Sequence, residues 1–114
     1  MSDCLFCKIV AGEIPSEFIY EDDDVVAFHD VNPQAPHHFL CIPKQHIATT
    51  NDLQNEQAHI IGKLFMAAKT VAGDLGVAED GYRLVMNCNQ HGGQTVFHIH
   101  LHVLAGRVMQ WPPG

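Results

Sequence analysis

Basic residues are scarce in this chain: Lys and Arg number 6 against 13 Asp and Glu, a formal charge of −7. Binding to DNA or RNA draws much of its energy from neutralised phosphates, so no nucleic-acid partner is expected. A single nucleotide stays within reach, because a small phosphate pocket needs a few local donors rather than a basic surface. Long apolar runs are missing too. None approaches the roughly 18 residues of a membrane span, so no membrane partner is expected. The start, Met1-Ser2-Asp3-Cys4, lacks a basic stretch followed by an apolar one, so no signal peptide is expected and the chain reads as cytoplasmic. In that compartment four cysteines are not a disulfide framework. Cys41 and Cys88 sit in apolar runs and read as buried, inert thiols, whereas Cys4 and Cys7 form a CxxC. Repeats and low-complexity segments are absent, and 114 residues fit one domain, 1–114. Histidine is the exception to this spareness: there are nine, and they cluster.

Periodicity predicts two helices. A short one covers about Leu5 to Ala11, with Leu5, Phe6, Ile9 and Val10 apolar and Gly12 ending it. A long one carries Ala58, Ile61, Leu64, Phe65, Ala68, Val71, Ala72 and Leu75 at three- and four-residue steps, with Asp52 as N-cap and Gly76 as C′. Strand-like runs lie near Phe18–Tyr20 and Val25–Phe28, joined by the acidic turn Glu21–Asp24 as a hairpin. Further strands are predicted at Phe39–Ile42, at about Tyr82 to Asn87 and at Val96 to Leu104, with Pro33 and Pro36 marking a loop. Few helices and short connections predict an α+β class with an antiparallel sheet of about five strands.

The segment His98-Ile99-His100-Leu101-His102 carries the most chemistry. Alternate residues of a strand share a face, so the three imidazoles point one way while Phe97, Ile99, Leu101 and Val103 point into the core. Such a row can attack a phosphate, hold zinc or be structural, and the strand alone leaves nucleophile and metal ligand nearly balanced. The preceding His91-Gly92-Gly93-Gln94-Thr95 tips this toward phosphate chemistry. Glycines allow backbone N–H groups close to an anion, and Thr95 adds a hydroxyl, although a Gly-Gly pair by itself is usually a turn.

With these residues in view, HxHxH followed by two apolar positions resembles the histidine-triad superfamily. Phe28-His29-Asp30, Pro33-Gln34-Ala35-Pro36, His38-Phe39, Ile42-Pro43-Lys44, Gly81-Tyr82-Arg83, Gly92-Gly93-Gln94 and Trp111-Pro112-Pro113-Gly114 are similar to its nucleotide-binding (Hint) branch, and the likeness spans essentially the whole chain. The resemblance implies a histidine-triad-like fold forming a two-fold homodimer. It implies a hydrolase that cleaves the P–N bond of purine nucleoside 5′-phosphoramidates through a nucleotidyl-histidine intermediate, with no cofactor required for catalysis. A dinucleoside polyphosphate hydrolase or nucleotidyl transferase is the alternative within the superfamily. A nucleotide-binding module whose dimer surface recruits protein partners, with incidental catalysis, is an alternative of another class, and a zinc-dependent hydrolase using the histidine row as ligands is a fourth.

The same resemblance assigns roles. His100 is the expected nucleophile, His102 the donor to a non-bridging phosphate oxygen, His98 the first member of the row and His38 the fourth histidine beside it. Asp30 is the expected ribose ligand, although an Asp before Val31-Asn32-Pro33 is also an ordinary turn residue. Phe6, Ile9, Phe28, His29 and Val31 are expected around the base, with a core role nearly as good for Phe6 and Ile9. Asn87 is expected on the sugar-phosphate, Gly93, Gln94 and Thr95 on the phosphate, and Trp111 near the partner's site. Cys4, Cys7, His46 and His98 are implied as ligands of a structural zinc.

Overall fold

The computed structural model describes residues 3–114. One antiparallel sheet runs in the order β1-β2-β3-β5-β4, built from β1 (Tyr20–Glu21), β2 (Val25–His29), β3 (His37–Pro43), β4 (Tyr82–Val85) and β5 (Leu101–Ala105). The long helix α2 (Ala58–Asp74) covers one face and the short helix α1 (Leu5–Val10) part of the other.

The alternation of strand side chains decides which residue meets which helix. Val25 and Ala27 of β2, Phe39 and Cys41 of β3 and Leu101 and Val103 of β5 pack with Leu64, Ala67, Ala68 and Val71 of α2. Their neighbours Val26, Phe28, Leu40 and Ile42 face the other way, onto Phe6 and Ile9 of α1. Both faces of the central strands are therefore covered, which explains why β2 and β3 read as continuous apolar runs. Burial also pushes the Cys41 thiol up to about 12, so it stays inert as expected. Cys88 is only half-buried, unlike the sequence expectation.

Several boundaries differ from the sequence reading; β3 begins two residues early, at His37, and β4 ends two early, at Val85. Asp52 does not cap α2. Two 3₁₀ turns, Thr50–Asp52 and Asn55–Gln57, intervene, and Asp52 instead accepts from the N–H and hydroxyl of Thr49, while Gln57 is the N-cap of α2. Gly76 does follow the helix, at φ +76°, a left-handed conformation that favours glycine. A four-residue helix, α3 (Asn89–Gly92), appears where a loop was expected. Strand β1 is shifted two residues on, with Ile19 N–H already donating to Ala27 O. The last strand begins at Leu101, not Val96. His98, Ile99 and His100 approach it outside the ladder, anchored by Ile99 N–H to Ile47 O at 2.8 Å, and Phe97 is half-exposed rather than in the core.

Candidate active site and metal-ligand cluster

His102 lies opposite Leu40 in the β3–β5 ladder, and His38 sits two residues before Leu40 on the same face. This register brings the two imidazoles together, His38 Nε2 to His102 Nδ1 at 2.9 Å. The Gln34 N–H donates to His38 Nδ1 at 3.0 Å. A backbone N–H can only donate, so neutral His38 carries its proton on Nε2 and gives it to His102 Nδ1. His102 must then carry its own proton on Nε2. Asp30 Oδ2 lies 3.5 Å from His38 Nε2, while Oδ1 accepts from Asn32 N–H at 2.8 Å. Asp30 is thus a turn residue and a cleft residue at once. The donor atoms of Asp30, His38 and His102 lie close enough for a metal, but the proton held on His38 Nε2 makes them a hydrogen-bonded set.

His100 is fixed differently. Its Nδ1–H donates to the His98 carbonyl at 2.8 Å, which leaves the Nε2 lone pair outward. Its ring meets Phe6 edge-on at 5.1 Å and His102 at 5.0 Å. Desolvation lowers the pKa of His38, His100 and His102, that of His102 to about 4, with Asp30 opposing the shift. The imidazoles are therefore neutral near pH 7, the form in which nitrogen has a lone pair to attack with.

These groups line one cleft of about 530 Å³. Of the residues expected from sequence, it brings together Phe6, Ile9, Phe28, His29, Asp30, Val31, His38, Thr95, His100 and His102. It adds Leu5, Ile14, Pro15, Ser16, Asn32, Gln34, Leu40 and Val96. Ile14-Pro15, apolar residues in a loop, were the signal that could have revealed this extra wall. Val31 is fully exposed at the rim.

Other expected residues lie outside the cleft. Gln94 is buried, and its side chain ties the loop to Ala48 O, Val96 O and Asn89 N–H. The backbone N–H groups of Gly93 and Gln94 donate to Gln90 O and Asn89 O, closing α3, so neither points at an anion. Gly93 is the left-handed cap of that helix. Asn87 packs its backbone beside Gly92. Trp111 is 81 % exposed and lines no part of this chain's own cleft.

His98 is also outside it, because both ring nitrogens are committed elsewhere. Nε2–H donates to Pro43 O at 2.7 Å, and Nδ1 faces Cys4 Sγ at 3.4 Å, Cys7 Sγ at 3.5 Å and His46 Nδ1 at 3.3 Å. Cys7 Sγ lies 3.2 Å from His46 Nδ1. Tetrahedral zinc with bonds of about 2.05 Å to nitrogen and 2.3 Å to sulfur needs N···N edges of about 3.3 Å and N···S edges of about 3.6 Å. The four donors fit such an ion, and the Pro43 carbonyl fixes the His98 tautomer in which Nδ1 is a ligand. The cluster could hold a metal. No helix among the described residues is long and apolar enough to cross a membrane.

Residues 11–109 match the HIT domain family model. The chain is 50% identical over 105 residues to a purine nucleoside phosphoramidase of Escherichia coli (strain K12), covering 92% of this chain and 88% of that one. Its fold is similar to the crystal structure of a HIT family hydrolase from Legionella pneumophila Philadelphia 1, with a TM-score of 0.95 at 53% identity over 98% of this chain and all of the other. A histidine triad nucleotide-binding protein from Candida albicans superposes with a TM-score of 0.82 at 30% identity, covering 96% of this chain and 83% of that one. This chain belongs to the HIT domain family.

Proposed function

We propose that this protein is a hydrolase of purine nucleoside 5′-phosphoramidates. The observation that carries the reading is the orientation of His100. With Nδ1–H held on the His98 carbonyl, its Nε2 lone pair has no other partner among the described residues, and its ring lies 5.0 Å from that of His102. The base enters among Phe6, Ile9, Ile14 and Phe28, and Asp30 accepts from the ribose hydroxyls. His100 Nε2 attacks the α-phosphorus, the P–N bond breaks, and the nitrogen leaves as the amine by taking a proton from solvent. His102 Nε2–H and the Thr95 hydroxyl meet the charge that spreads over the non-bridging oxygens. Water then cleaves the nucleotidyl-imidazole and releases the nucleoside monophosphate. His98 acts through its main chain, holding the nucleophile. The likeness to the phosphoramidase and HIT hydrolases supports this chemistry over the alternatives.

Cys4, Cys7, His46 and His98 are proposed to hold one structural zinc. A closed four-ligand site would clip α1 to the sheet and would not activate water. A two-fold homodimer is proposed as well, with Trp111 reaching the partner's cleft.

The test is turnover of an adenosine phosphoramidate, a guanosine phosphoramidate and a dinucleoside polyphosphate by the wild type and by His100→Ala. The reading expects the phosphoramidates to be preferred, and turnover to vanish in the variant while nucleoside monophosphate still binds. More than about a tenth of wild-type kcat surviving, a barrier change under about 1.4 kcal/mol, excludes His100 as nucleophile.

A further inference from the structure

Arg107 follows β5 on the surface and lines a groove of about 710 Å³ with Tyr82, Arg83 and Met109, a groove that shares no residue with the cleft. Its guanidinium nonetheless reaches the catalytic groups. Nη2 donates to Gln34 O at 3.1 Å. Gln34 N–H donates to His38 Nδ1 at 3.0 Å, and His38 Nε2 lies 2.9 Å from His102 Nδ1. Gln34 is exposed, in a loop between β2 and β3 that no ladder holds. Besides Arg107, its own side chain steadies it, through Nε2 to Asn32 O. The approach of the two segments is close. Gly106 has φ +96°, and a Cβ there would lie 2.7 Å from Pro36 Cβ, so glycine is required for the chain to pass this loop.

We propose that Arg107 is a positioning residue for the catalytic histidines. By holding the Gln34 carbonyl it keeps the Gln34 N–H on His38 Nδ1. The His38 proton then stays on Nε2, His102 Nδ1 stays an acceptor, and His102 Nε2 stays the donor facing the cleft. The kinetic consequence rests on the hydrolase reading, while the tautomer of His38 does not.

The experiment compares wild type, Arg107→Gln and Arg107→Lys in the full chain. Long-range ¹H–¹⁵N spectra of the imidazoles separate pyrrole-type from pyridine-type nitrogens. The wild type is expected to show His38 as one tautomer with Nδ1 pyridine-type. Arg107→Gln is expected to mix the tautomers and lower kcat about five-fold, the scale of one exposed hydrogen bond, with KM little changed. Arg107→Lys, which keeps one donor, should recover part of both. The residue is exposed, and an unchanged urea midpoint separates misfolding from mispositioning. A His38 spectrum identical to wild type in Arg107→Gln overturns the proposal, as does a changed spectrum with unchanged kcat. If the wild type turns over no phosphoramidate, the hydrolase reading fails while the spectra still decide the placement.

Discussion

Removing His38 tests the relay at its centre. In His38→Ala, His102 Nδ1 loses the donor held 2.9 Å away, and nothing then forces the His102 proton onto Nε2. The upper limit of the effect is complete loss of the His102 donor. A missing donor to a developing oxyanion costs about 2.7–4 kcal/mol, or roughly 10²–10³ in kcat. The lower limit is one ordinary hydrogen bond, about 1 kcal/mol, or about five-fold. His38→Ala is therefore expected between these limits, near ten- to hundred-fold, with His102→Ala at the upper limit. The sharper assay is the double variant. If His38 acts through His102, His38→Ala/His102→Ala turns over no more slowly than His102→Ala alone. Steady-state kinetics on an adenosine phosphoramidate reads all four proteins. Additive losses in the double variant would refute the relay and would mean that His38 meets the substrate independently.

Other consequences are as direct. Elemental analysis of protein purified without chelator should find about one zinc per chain, lost in Cys4→Ser together with thermal stability, while turnover persists at a lower rate; a metal-free wild type of equal stability would reject the site. Burial holds His102 at about 4 against an ordinary value of 6.5, so the unfolded chain binds more protons between those values and stability falls as pH drops from about 6.5 to 4. Urea unfolding of His102→Asn should therefore show a shallower decline over that window, and an unchanged slope would contradict the assignment. Light scattering at micromolar concentration should give a dimer, and Trp111→Ala should alter leaving-group preference; a monomeric mass or an unaltered preference counts against the proposed exchange of tails.

Much of the architecture was legible because it rests on periodicity. The α2 spacing, the glycine after it and the apolar runs of β2 and β3 all follow from which faces must be buried. The histidine row was legible only in part, because His98 and His100 precede the paired part of β5. Residues 96–98 bend, so strand alternation does not account for where His98 lies. What escaped the sequence depends on main-chain groups. The loop Gly93-Gln94 looked like a phosphate cradle, yet its N–H groups close a short helix that its polar residues did not announce. Gln34 acts through a peptide N–H and carbonyl, which no side-chain pattern marks, and Arg107 matters only through that carbonyl.

The same row can serve both proposed tasks because an imidazole has two nitrogens and this fold fixes one of them on every ring. Pro43 O holds Nε2–H of His98, which turns Nδ1 toward the two sulfurs and His46. His98 O holds Nδ1–H of His100, which turns the Nε2 lone pair outward. Gln34 N–H occupies Nδ1 of His38, and His38 in turn occupies Nδ1 of His102, which leaves that ring a donor at Nε2. Each opposite nitrogen is thereby left free for the role proposed for it: ligand, nucleophile or donor. Burial keeps the rings neutral, so the assignments hold near pH 7. Three of the four fixing groups are peptide atoms, whose placement depends on β3, the segment before β5 and the Pro33–Pro36 loop rather than on any side chain beside the substrate. Variants that shift those segments should therefore alter turnover before they alter nucleotide affinity.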